Sequence, residues 1–195
     1  MPINEDVALQ GDGQADAVPA LKEVVMGLHW DPPADGITAD SADLDAVCVL
    51  FDAQGCVLEV IHAGHLRNAD GSIIHTGDSR TGASAWDDER IFVFLEALPA
   101  AVSALTFLVI SATGCALHEV RGAFCHISDR GSEYLWVRRE LATLAGCSVY
   151  AVATLHRGVA GWSIATDVQP IQSTLITDLL SLVSRVKSGA VTTTG

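Results

Sequence analysis

Apolar residues recur along the chain in runs of five to eight, separated by stretches of small, acidic and glycine residues. Runs of this length with β-branched and aromatic content read as strands. Glu23–Trp30 (EVVMGLHW) opens the series, and Leu44–Phe51 follows. The turn Asp52–Gly55 (DAQG) leads into Cys56–His62, and Asn68–Ser72 (NADGS) leads into Ile73–Thr76. Arg90–Leu95 (RIFVFL) and Leu105–Ser111 (LTFLVIS) are the clearest strands. Ala123–Ile127, Tyr134–Arg138, Ser148–His156 and Gly161–Thr166 complete the set, with His156–Gly161 (HRGVAG) as a hairpin turn between the last two. Leu135–Leu144 also allows some helix. Two segments break the rhythm. Asp31–Ala42 (DPPADGITADSA) holds Pro-Pro and Asp-Gly, and Gly77–Glu89 (GDSRTGASAWDDE) holds small residues and acids. Both must be loops, because Pro cannot donate to a ladder and Gly and Asp favour turns.

Many short strands with Gly- and Asp-bearing turns imply a mainly β fold, a β-sandwich of two sheets with short helices. The tail changes period. From Pro170, Ile171, Leu175, Leu179, Leu182 and Val186 recur at helical spacing, and Lys187 and Gly189 form a helix end. This reads as a C-terminal amphipathic helix packed on the sandwich. Residues 1–20 are polar and read as a loose arm, leaving residues 21–190 as one domain. No internal repeat or low-complexity segment is present.

Composition narrows the function classes. Half of the 195 residues are hydrophobic, ample for one core, and acids outnumber bases 24 to 11 for a formal charge of −13. A surface of that sign repels phosphate backbones, which argues against nucleic acid as a partner. It attracts cations or basic protein faces. The N-terminal sequence has no secretory pattern, and no apolar run reaches the roughly 20 residues that span a bilayer. The five cysteines form no C-x-x-C pair, as expected of reduced thiols in a cytoplasmic protein.

The two irregular loops gather the chemistry. The first segment and the strand after it carry Asp31, Asp35, Asp40, Asp43 and Asp45; the second carries Asp78, Asp87, Asp88 and Glu89. Asp43 and Asp45, two apart where a strand begins, point to one face. Calcium takes six to eight oxygen ligands from carboxylates, carbonyls and water, and flexible Asp-rich loops supply them. Acid-rich turns are also common without any ion. The D-x-x-D-x-D spacing at Asp40–Asp45 is not an EF-hand.

The order of these pieces resembles a known family. Gly27-Leu-His-Trp-Asp31, Asp43-Leu-Asp-Ala46, Asn68-Ala-Asp-Gly-Ser72, His75-Thr-Gly-Asp-Ser-Arg-Thr-Gly82 and Asp87-Asp-Glu89 are similar to the successive motifs of the TerD family of tellurium-resistance and stress proteins. Leu98–Pro99 and Arg121–Phe124 (RGAF) fit two further family segments. The likeness runs from about Ala20 to Thr166. It implies a β-sandwich binding Ca2+ through two adjacent acidic loops, with Asp31, Asp43, Asp45, Asp78, Asp87, Asp88 and Glu89 as ligands and Leu44 as a carbonyl donor. It also implies a bacterial stress-response role among other stress or tellurium-resistance proteins. The chain departs from the pattern in places. Ser79 stands where the family commonly has Asn, Ala83–Trp86 replaces an acid- and glycine-rich stretch, and Ala63–Leu66 replaces a Y-N-x-L element. These departures remove oxygen ligands and move the expectation from two ions towards one, weakly bound, or none.

Competing chemistries find less support. His62, His65 and His75 could bind zinc only if a turn brings the first two together, and His75 suits a loop hydrogen bond better. Cys115 and His118 lack a third catalytic partner, and G-x-S-x-G and phosphate-loop motifs are absent. No catalytic residue is assigned. Three readings follow: a non-enzymatic calcium-binding protein presenting an interaction surface, an interaction module with a degenerate metal site, and a metal-dependent hydrolase. The oligomeric state is not legible.

Overall fold

The computed structural model describes residues 20–32, 43–144, 146–166 and Asp178. Among the described residues, ten strands form two antiparallel five-stranded sheets, as the sandwich expectation required. They are β1 Glu23–His29, β2 Leu44–Phe51, β3 Val57–Ile61, β4 Ile73–His75, β5 Glu89–Phe94, β6 Ala104–Ser111, β7 Phe124–Asp129, β8 Leu135–Glu140, β9 Val149–Gly158 and β10 Gly161–Ala165. The first sheet has the order β4-β5-β1-β7-β8, and the second β10-β9-β6-β2-β3. The helical option for Leu135–Leu144 reduces to one 3-10 turn, Leu141–Thr143, after β8. The expected N-terminal arm, most of the first acidic loop and nearly all of the C-terminal helix lie outside the described residues.

Period-two alternation puts one face of each strand into the core. Along β5, Glu89, Ile91 and Val93 are buried while Arg90, Phe92 and Phe94 are half-buried. Met26 and Leu28 of β1, Cys125 and Ile127 of β7, and Ala46, Cys48 and Leu50 of β2 meet Ile91 and Val93 between the sheets. Strands β2 and β6 sit near the middle of their sheet and bury both faces. Val47 and Val49 with Leu108 and Ile110 form a second, fully buried cluster on the far side. Thus β2 reads as a nearly continuous apolar run, and its one buried charge, Asp45, is conspicuous.

The pairing of β2 with β3 begins only at Cys48↔Ile61. Ala46 therefore lies beyond the end of β3, with a backbone edge that no strand covers. Side chains of the first sheet cover it instead, and the candidate site forms there.

Candidate metal site

Glu89 enters the core from the first residue of β5 and is completely buried. Its Oε2 accepts the backbone N–H of Ala46 at 2.8 Å and its Oε1 accepts that of Ser79 at 3.1 Å. His75, also buried, lies beside it. Gly77 N–H donates to His75 Nδ1 at 2.9 Å, so the ring proton belongs on Nε2. Nε2 then faces Ala46 O at 3.1 Å and Glu89 Oε2 at 3.4 Å. Both polar groups of Ala46 are thus satisfied by β4 and β5 side chains, and the two sheets are latched at this corner. Buried backbone groups require such partners. The expectation that His75 serves a loop hydrogen bond holds in this form.

Three carboxylates converge at the latch. Oxygens of Asp45, Asp78 and Glu89 all lie within 4.8 Å of one another. Asp45 and Glu89 are buried, at 1% and 0% exposure, and form the floor. Asp78 lies on the solvent side and accepts Arg80 Nε–H at 2.8 Å. Among the described residues, this is the group of metal-type side chains that comes together. The donor set is entirely hard oxygen, with neither imidazole nor thiolate, which suits Ca2+ or Mg2+ rather than a soft transition metal. The residues present fit the calcium that the motifs imply, with carbonyls and water needed to complete a shell.

Of the other expected ligands, Asp31, Asp87 and Asp88 are engaged by other partners. Asp88 is a clamp: its Oδ2 accepts Trp30 N–H at 3.1 Å and lies 3.0 Å from His29 Nδ1, and its Oδ1 accepts Ser84 N–H at 3.0 Å. It ties the 83–88 loop to the end of β1. Asp87 turns to the outer face of the first sheet, between Arg90 Nε at 2.9 Å and His126 Nε2 at 3.1 Å. Burial raises its pKa, but the His126 hydrogen bond and charge and those of Arg90 outweigh this and hold the carboxyl below its usual range. Asp31 pairs loosely with Arg121 at 3.5 Å and packs against Gly122. Asp43 is buried just before β2, and its carbonyl accepts Ala112 N–H. Leu44 is a core residue.

Gly82 shapes the loop. It adopts φ +59°, and a side chain there would strike the Trp30 ring and carbonyl. Trp86, four residues on, is 77% exposed.

The histidine and cysteine alternatives are also placed. A turn does bring His62 and His65 together, with ring centroids 6.5 Å apart. Yet His62 Nδ1 accepts Gly64 N–H, and His65 Nε2 pairs with Glu59 at 2.7 Å. Burial lowers the His62 pKa to about 4, helped by His65 and His75. Cys115 Sγ sits 3.1 Å from Ser111 Oγ, and His118 Nδ1 accepts Gly146 N–H, so no Cys–His dyad is formed. What sequence reasoning missed is the Ala46 latch, because the end of β3 is a matter of pairing and leaves no mark in the residues.

Comparison with known proteins bears on family and fold. The TerD domain model matches residues 10–181. The tellurium resistance protein TerZ of Serratia marcescens is 32% identical over 185 residues, covering 91% of this chain and 93% of that protein. General stress protein 16U of Bacillus subtilis is 34% identical over 132 residues, 64% of this chain and 67% of its own. Among solved structures, a homologue of the telluride resistance protein TerD from Streptomyces coelicolor superposes with a TM-score of 0.69 at 22% identity, covering 85% of this chain and 99% of that one. That likeness concerns the fold. With the motifs in order, the family model spanning most of the chain and a relative matched nearly end to end, this chain belongs to the TerD family.

Proposed function

We propose that this chain is a non-enzymatic, cytoplasmic calcium-binding member of the stress-response group its relatives' names describe. The convergence of Asp45, Asp78 and Glu89 carries the reading. Three carboxylates from separate segments, two of them buried, repel one another unless a proton, a cation or distance intervenes. A divalent ion between them turns that repulsion into cohesion. It joins β2, β5 and the loop after β4, and so holds the 77–88 loop with the surface that loop presents. One ion fits better than two, since Asp31, Asp87 and Asp88 are committed to Arg121, to Arg90 with His126, and to the β1 clamp. Isothermal calorimetry of the full chain with Ca2+ tests this. Heat of binding at one site, abolished by Asp45→Asn, is expected; no heat up to millimolar calcium would refute it.

A further inference from the structure

The second sheet turns one face to the core and the other away from it. On β2, Ala46, Cys48 and Leu50 face the core, so Val47 and Val49 face outward. Register carries the outward face onto β6, where Thr106 pairs with Val49 and Leu108 with Val47, and Ile110 follows. The outer face of an antiparallel sheet commonly meets water and carries polar residues. Here Val47, Val49, Leu108 and Ile110 are completely buried, and Thr106 is nearly so.

Burial falls away on both sides of these two strands. Val60 of β3 and Val149 and Ala151 of β9 are half-buried, while Leu58 of β3 and Ser163 of β10 are exposed. Among the described residues, the apolar side chains packed on the cluster are Phe51, Val60, Ala112, Val149 and Ala151. All belong to the same sheet or its margin, so they flank the stripe and do not cover it. A stripe two strands wide at about 4.8 Å spacing, with half-covered flanks, matches the roughly 10–12 Å diameter of one helix. A third sheet would cover the outer strands as well. The closure is complete within a single chain, so the cover is a segment of this chain and not a second copy.

Three stretches beyond the described residues are long enough to consider: 1–19, 33–42 and 167–195. Residues 33–42 hold one large apolar side chain, Ile37, and residues 1–19 carry four acids and are interrupted by Gly11, Gly13 and Pro19. The tail alone offers a long apolar stripe at helical spacing, Ile171, Leu175, Leu179, Leu182 and Val186. Asp178, off that stripe, is helical and exposed, as the polar side of a docked helix should be. The path also suits. Ala165 at the end of β10 pairs with Thr154, which pairs with Thr106 two strands away. Beyond Ala165 the direction of β10 leads towards Ala151 and Val149, the partners of Leu108 and Ile110. Residues 166–170 reach about 17 Å when extended, and two strand spacings are about 10 Å. As a helix, Ile171–Val186 spans about 22 Å, more than the roughly 13 Å from Thr106 to Ile110.

We propose that Ile171–Val186 docks as an amphipathic helix on the outer face of the second sheet, along β2 and β6, as a third layer of the fold. It hides an apolar stripe that, uncovered, would join one copy of the chain to another.

The test is methyl NMR of the full chain in EDTA, so that its outcome is independent of the calcium reading. Val47, Val49 and Leu108 methyls should show NOEs to those of Leu175, Leu179 and Leu182. In a mixture of labelled and unlabelled chains, isotope-filtered spectra should show none of them, because the contact lies within one chain. NOEs from this face to residues 1–19 or 33–42 instead, NOEs in the filtered spectra, or none to the tail would each overturn the proposal. Two full-length variants give an independent readout. Leu179→Glu puts a charge into the contact and should raise binding of the dye ANS about threefold, with self-association in sedimentation. Asp178→Lys, at an exposed position, should leave both at the parental level. Equal effects from the two variants, or none from Leu179→Glu, would also overturn it.

Discussion

Replacing Asp45 by Asn removes one charge from the cluster and keeps its shape. With the three ligand oxygens within 4.8 Å of one another, each carboxylate pair repels by about 3 kcal/mol at an effective dielectric of 20. Asp45 belongs to two of the three pairs. Its repulsion by Asp78 is screened, because Asp78 reaches solvent and has Arg80 beside it. The new amide N–H2 has two carboxylates next to it as acceptors. Without calcium, Asp45→Asn should therefore stabilise the fold by about 1–3 kcal/mol. With calcium the order reverses. A ligand at a hundred times its Kd adds about 2.7 kcal/mol to the parent, or about 5–11 °C in Tm for a domain of this size. The variant should gain less than about 2 °C. Differential scanning calorimetry in EDTA and in stepped calcium at constant ionic strength reads both halves. A variant that melts lower in EDTA and still gains the parental calcium increment would refute the reasoning.

Other consequences follow from named groups. Arg80→Gln removes the cation that competes for Asp78; the pair is exposed and worth at most about 1 kcal/mol, so calorimetric calcium affinity should rise no more than about fivefold. His62 stays neutral in the fold down to about pH 4, while the unfolded chain protonates it from 6.5, so folding stability should fall as pH drops through that window. The shift corresponds to about 3 kcal/mol, and His62→Asn should flatten the Tm profile between pH 7 and 4. Gly82→Ala should cost about 1–3 kcal/mol, because it places a methyl against Trp30 at a left-handed φ; chemical denaturation and the calcium increment should both record it.

The course of the strands was readable because burial on a pleated sheet leaves a period-two or continuous apolar trace, as at Arg90–Leu95 and Leu44–Phe51. Their ends were placed within a residue or two, since Gly, Asp and Asn mark turns by their own dihedral preferences. The kinds of residue at the candidate site were also readable: acids in irregular loops, in an order that the family resemblance restricted. Which acids meet was not. Asp87, Asp88 and Glu89 are consecutive and alike in type, yet one reaches out to Arg90 and His126, one clamps the end of β1, and one turns in to Ala46. Side-chain alternation alone would separate neighbours but not choose their partners.

The sequence by itself determined a two-sheet β fold with acidic loops, because patterning and turn chemistry act over a few residues. Only the tertiary structure decided the site. The end of β3 short of Ala46 bares a backbone edge, and Glu89 and His75 are drawn across from the other sheet to satisfy it. That long-range demand for buried hydrogen bonds carries Glu89 to Asp45 and Asp78, and no local preference could have announced it.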